Sequence, residues 1–369
     1  MLQAIHLLTG ISFSRCLFRT VSALALSLLL GCSSCPFSKH QESFYHFQTG
    51  EPLLLAGEHP THLAFQPSHS STLVVRSTYL TNAPDSITYQ EGKDYAIDYQ
   101  AGTIRRTSTS RIPDFSTNML YGKEDFDHSK FPGYGNKPFF VYLDYRHDKA
   151  TNWQPQSPQT KLLTNTVQKL RNGNQLKLVA FGDSITAGGE ASQTNLIYWQ
   201  RWANFLQQKY PKANIEAING ATGGDNTRNG LERLNTKVLS QHPDLVVLAF
   251  GMNDHNIQPF GVPLEEFKKN LGTIIDLIRS DSNGKADIIL VSAFPPNPQW
   301  HFGTHRMEQY AQATEAVAQE KQCAFADVYN HWIALTERKK PEDLLANNIN
   351  HPNDFGHWIY FEVLKELDL

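Results

Sequence analysis

The chain has 369 residues, of which 40% are hydrophobic and 19% charged, with a formal net charge of −3. That length leaves room for two domains of roughly 150 residues each, and the balance excludes wholesale disorder. Lys and Arg are scattered, so there is no concentrated basic face of the kind that nucleic acid requires, and no nucleic-acid partner is expected.

In chain order, Arg15 and Arg19 precede an apolar run over 21–30 that ends in Gly31-Cys32. The run is too short to cross a bilayer as a helix but suits the core of an export signal. Leu29-Leu30-Gly31-Cys32 resembles a bacterial lipobox, which implies cleavage before Cys32, a lipid on that cysteine and anchoring at the cell envelope. Simple secretion after cleavage nearby is the alternative. Residues 1–31 are therefore read as signal and 32–51 as a polar tether. Of the four cysteines, Cys16 leaves with the signal and Cys32 takes lipid. Cys35 in the tether and Cys323 at a strand are not expected to pair. No cysteine–histidine spacing suggests a structural zinc site.

Residues 52–155 read as a small β-rich accessory domain. Over 87–107, Tyr and Ile alternate with polar residues and are broken by Glu91-Gly92 and Ala101-Gly102, the period-two pattern of antiparallel strands joined by turns. Residues 139–145 (FFVYLDY) form another strand. Between them, 119–137 is rich in glycine and aromatics and reads as a long ordered loop.

From 156 to 369 the pattern changes. Short apolar runs at 176–181, 214–218, 245–251, 287–293 and 324–328 alternate with amphipathic stretches at 198–210, 231–240, 264–279, 305–321 and 356–367, after a helical stretch at 160–170. This predicts an α/β fold with a parallel sheet covered by helices on both faces, where ligands bind at the carboxyl ends of strands.

Those strand ends carry the chemistry. The first strand runs into Gly182-Asp183-Ser184-Ile185, which puts a serine hydroxyl at the crevice. A hydroxyl attacks poorly unless a base is within hydrogen-bond reach and donors await the oxyanion. The second strand exits into the glycine-rich 219–225, able to aim a backbone N–H at a bound oxygen. The third exits into Gly251-Met252-Asn253-Asp254, which places an amide donor at the same edge. His351-Pro352 stands just before the last helix.

These four segments, in this order over about 176–367, resemble the GDSL, or SGNH, hydrolase superfamily. The resemblance implies a three-layer α/β/α sandwich, with the all-β accessory domain lying outside it. It implies Ser184 as nucleophile, His351 as base, and an oxyanion hole of Ser184, Gly224 and Asn253, with no cofactor and no metal. The family's usual aspartate three residues before the histidine is here Asn348. An Asn carbonyl can hold the imidazole tautomer but supplies no charge. Asn348, a backbone carbonyl, or another acid such as Asp343 or Asp354 could orient His351, and Asp354 also reads as the cap of the last helix.

Asp183 and Asp254 read as loop braces. His301 and His305 are four apart but lack a carboxylate partner for metal. Met307, Tyr310, Trp199 and Trp202 read as core, and Trp300 as an exposed wall near the crevice. The implied activity is hydrolysis of carboxylic esters, with short acyl groups such as acetyl on extracellular polysaccharide as the expected substrate. A lipase or lysophospholipase, or a non-catalytic glycan-binding lipoprotein, are the rival readings.

Overall fold

The computed structural model describes residues 46–68, 73–147 and 153–369, so the signal segment and Cys32 lie outside the described residues. The described residues belong to one compact unit.

Its first part contains β1 (His46–Leu54), β2 (Thr61–His62), β3 (Val74–Arg76), β4 (Tyr95–Asp98), β5 (Thr103–Arg106) and β6 (Phe140–His147). They form two antiparallel three-stranded sheets, β1-β6-β3 and β2-β5-β4. β1 starts inside the stretch expected to be tether. Its HFQTG half carries no apolar alternation, because Gln48 and Glu51 are buried polar residues and a bulge shifts the register between them. At the bulge, Gly50 takes φ 68° and its N–H donates to Asp144 Oδ1 at 2.7 Å.

The second part contains α1 (Thr164–Asn172), β7 (Gln175–Gly182), α2 (Tyr198–Lys209), β8 (Asn214–Asn219), α3 (Thr227–Lys237) and β9 (Leu245–Ala249). It continues with α4 (Leu264–Asp281), β10 (Asp287–Val291), α5 (Met307–Glu320), β11 (Ala324–Ala326), α6 (Val328–Thr336) and α7 (Asp354–Lys365). The five strands pair in parallel in the order β8-β7-β9-β10-β11. Every residue of β9 and β10 is buried, as a sheet covered on both faces requires. The order reverses direction at β7, so a crevice opens between the carboxyl ends of β7 and β9, where ligands bind in such sheets.

α6 was not anticipated. The expected strand at 324–328 stops at Ala326, because the Asp327 side chain accepts the Asn330 N–H at 3.1 Å and caps a helix. Val328, His331, Trp332 and Leu335 then line its buried face at helical spacing.

The two parts share one hydrophobic core, in which Leu53, Val75, Tyr145 and Ile104 are joined with Leu178, Val247 and Trp332. Beside it lies a fully buried ionic cluster. Lys339 Nζ sits 2.7 Å from Glu51 Oε1 on β1 and 3.7 Å from Asp343 Oδ2. Glu51 also accepts from Tyr145 OH and the Ala64 N–H, and Asp343 accepts the Leu54 N–H at 2.8 Å. Burying these charges is tolerable only because each is paired and hydrogen-bonded.

Candidate active site

β7 ends at Gly182, where any Cβ would overlap the Ala249 carbonyl of the neighbouring β9. Only glycine lets the two strands stay paired while the chain turns into Asp183-Ser184. The turn is braced from several sides. Asp183 Oδ1 accepts the Ile185 N–H at 2.9 Å, Gly189 N–H donates to the Ser184 carbonyl at 2.8 Å, and Trp199 Nε1 donates to the Thr186 carbonyl at 2.8 Å. Asp183 is buried, and that burial pushes its carboxyl up to about 7. It serves as a brace.

His351 is delivered by a turn just before α7. The Asn347 side-chain oxygen accepts three successive backbone N–H groups, those of Ile349 at 3.0 Å, Asn350 at 3.0 Å and His351 at 2.8 Å. Asn353 caps α7 by accepting the Gly356 N–H, so the capping role expected of Asp354 falls one residue earlier. The turn sets His351 Nε2 2.8 Å from Ser184 Oγ, joining residues 167 positions apart. Burial holds the imidazole below its usual range, the Glu190 charge pulls it upward and Lys137 pushes it down. A neutral imidazole at neutral pH is the form able to accept the serine proton.

The other ring nitrogen is where the arrangement departs from expectation. Among the described residues, none hydrogen-bonds His351 Nδ1. Asn348 adopts φ 61°, and both its side-chain oxygen and its carbonyl accept from Asn297 Nδ2, at 3.2 and 2.9 Å. That grip holds the Asn348 side chain on Asn297, so it does not orient the His351 ring in this structure. Asp343 is committed to the buried cluster with Lys339. Asp354 Oδ1 accepts the Ser192 N–H at 2.8 Å. Glu190 supplies the main attractive charge on His351 and is itself held by Lys137 at 2.6 Å. Nothing in the sequence marks Glu190, Lys137 or Asn347 for these positions; they matter through contacts that no local pattern encodes.

The residues expected to form the oxyanion hole converge on the same edge. Gly224 takes φ 80°, a conformation glycine adopts freely, and there is open space in front of it. A Cβ at the preceding Gly223 would stand 3.9 Å from Ser184 Cβ, so this loop lies against Ser184. No acceptor among the described residues takes the backbone N–H of Ser184 or Gly224. Asn253 Nδ2 rests on the Asp225 carbonyl at 2.8 Å. Asp254 braces the loop, its two oxygens accepting from the Thr227 N–H and hydroxyl and from the Gly251 N–H.

Gly224 and Asn253 open onto a groove of about 470 Å³. Trp300 lines it but is only 6% exposed, because its Nε1 donates to His128 Nδ1 at 3.0 Å and its ring joins Leu120, Phe126 and Ile349 in a small core. The exposed wall expected of Trp300 belongs instead to Phe260, which is 60% exposed. His301 pairs with Asp125 at 2.9 Å, and Met307, Tyr310, Trp199 and Trp202 are core.

Comparison with known proteins gives residues 180–359 as a match to the GDSL-like Lipase/Acylhydrolase family. An uncharacterized lipoprotein, YqeF, of Bacillus subtilis (strain 168) is 26% identical over 220 residues, covering 51% of this chain and 88% of that protein. An arylesterase of Vibrio mimicus is 27% identical over 194 residues, covering 52% and 88%. An acetylxylan esterase of Geobacillus stearothermophilus is 25% identical over 205 residues, covering 52% and 92%. The β-rich region before residue 153 lies outside the family match.

Proposed function

The chain carries a GDSL-like lipase/acylhydrolase domain and is a carboxylic ester hydrolase; from that premise we propose that it works through an acyl-enzyme on Ser184. The observation that carries this reading is the 2.8 Å contact between His351 Nε2 and Ser184 Oγ, beside two backbone N–H groups with no acceptor among the described residues. His351 takes the hydroxyl proton as Ser184 Oγ attacks the ester carbonyl. The N–H groups of Ser184 and Gly224, with Asn253 Nδ2 released from the Asp225 carbonyl, hold the oxyanion. The imidazolium then protonates the departing alcohol. Water, deprotonated by His351, attacks the acyl-serine, releasing the carboxylic acid and restoring the hydroxyl.

For substrate, we propose a short acyl ester, such as acetyl, on an extracellular polysaccharide. The acetylxylan esterase relative supports the substrate class, and the lipobox-like Leu29-Leu30-Gly31-Cys32 together with the Bacillus lipoprotein supports placement at the envelope through lipid on Cys32. Among the described residues, no helix is long and apolar enough to cross a membrane.

The test is hydrolysis of p-nitrophenyl acetate by the wild type and by Ser184→Ala. The variant is expected to lose on the order of 10⁴-fold or more in kcat while keeping its melting temperature. A folded Ser184→Ala protein with wild-type turnover overturns the reading.

A further inference from the structure

The groove beside the oxyanion groups has a composition that selects its occupant. Phe260 and Phe302 give it two aromatic faces, and besides Asn253 the carboxamides of Asn226, Asn229 and Asn256 line it. None of its lining residues is Lys, Arg, Asp or Glu, and none is an aliphatic side chain. Its volume of about 470 Å³ lies in the range of small-molecule sites, roughly 300–1,000 Å³.

An anionic ligand would find no cation there, and burying its charge unpaired is costly. An acyl tail gains most from continuous aliphatic surface, which these walls do not offer. Asn226 and Asn229 commit their side-chain oxygens to the N-terminus of α3, and Asn226 Nδ2 donates to the Phe260 carbonyl, so Asn256 and the Asn229 Nδ2 group are what these three still offer to a ligand. Asn256 Oδ1 is buried without a hydrogen-bond partner among the described residues. A neutral sugar ring presents what these walls lack: hydroxyl edges for amides and a C–H face for an aromatic ring.

The remaining wall comes from the β-rich region. Loop 119–137 is tied to the hydrolase part by backbone bonds from Phe126 N–H to the Gln299 carbonyl, from His301 N–H to the Phe126 carbonyl, and from Asn136 N–H to the Ala346 carbonyl. On this loop, Asp127 caps a short turn that starts at His128. The His128 ring accepts the Trp300 indole N–H, meets Phe302 edge-on with centroids 5.8 Å apart, and faces the groove.

We infer that this groove is the subsite for the neutral sugar ring bearing the acyl group, and that loop 119–137 of the β-rich region completes it through His128. The inference rests on the Ser184 esterase reading and adds where the sugar ring sits and the purpose of the loop. Binding energy gained at this distance from the reacting carbon serves to orient the ester.

The experiment uses the full chain with three probes: p-nitrophenyl acetate, p-nitrophenyl decanoate and acetylated xylo-oligosaccharide. Phe260→Ala removes an exposed ring with little bearing on folding, and His128→Ala probes the loop. In both variants kcat/KM for the acetylated oligosaccharide is expected to fall about tenfold more than for p-nitrophenyl acetate, through KM. Equal losses on all three esters, no loss on any, or a selective loss on the decanoate ester in Phe260→Ala each overturn the sugar subsite. A wild-type protein that cleaves none of the three overturns the esterase reading itself, so the two failures are distinguishable.

Discussion

Gly189 packs close against the Nδ1 side of the His351 imidazole. A Cβ at position 189 would stand 3.1 Å from His351 Nδ1 and 2.8 Å from the Ser184 carbonyl oxygen. A single methyl group there would push on both members of the dyad. Gly189→Ala is expected to lower kcat on p-nitrophenyl acetate about 10- to 100-fold, since sub-ångström to 1 Å displacements of reacting groups cost that much. Steady-state kinetics with a thermal melt check it. A variant with unchanged kcat would show that the ring has room to spare.

Asn348 occupies the position where a charged partner for His351 was expected, yet it is held by Asn297 in a left-handed turn. Asn348→Ala is expected to keep kcat within about threefold. Its stability should fall by about 1 kcal/mol, the cost of forcing a Cβ-bearing residue without a local hydrogen bond into positive φ. Asn348→Gly should recover most of that loss. Urea unfolding and kinetics on both variants decide it, and a hundredfold kcat loss in both would restore Asn348 as the orienting group.

The pH profile follows from the surroundings of His351. Protonated imidazolium cannot take the Ser184 proton, so kcat/KM falls as pH drops through the His351 pKa. Burial places that limb below 6.5. Glu190 favours the imidazolium, so Glu190→Gln should move the limb to still lower pH and reduce the plateau rate, where the imidazolium forms in the transition state. Lys137 opposes the imidazolium, so Lys137→Met should move the limb upward. Shifts in the same direction for both variants would refute this assignment of charges.

Lys339 holds two buried carboxylates, Glu51 and Asp343, between the β-rich and α/β parts. Lys339→Met leaves both without their cation and is expected to cost about 3–5 kcal/mol. Burial raises Asp343 to about 6, above its unfolded value. Its contribution to stability is thus fully present below about 3.9 and lost as pH rises through about 6. Removing Lys339 steepens that loss, so the variant's deficit should be larger at pH 8 than at pH 5. Urea melts at the two pH values test this, and equal deficits would contradict it.

The sequence by itself determined the α/β fold, the five parallel strands, and the four segments that meet at one sheet edge. Each of these is written locally: short apolar runs between amphipathic stretches, a glycine where a strand must turn, a histidine-proline before a helix. β1 and α6 escaped that reading because buried Gln48 and Glu51 break the alternation of one, and a single capping aspartate diverts the other. Only the tertiary structure decided which groups surround the base. Gly189 against His351, the Glu190–Lys137 pair beside it, the diversion of Asn348 to Asn297 and the seating of His128 on Trp300 all join residues remote in the chain. Such contacts depend on how packed surfaces meet rather than on residue spacing, so a linear pattern has no means of expressing them.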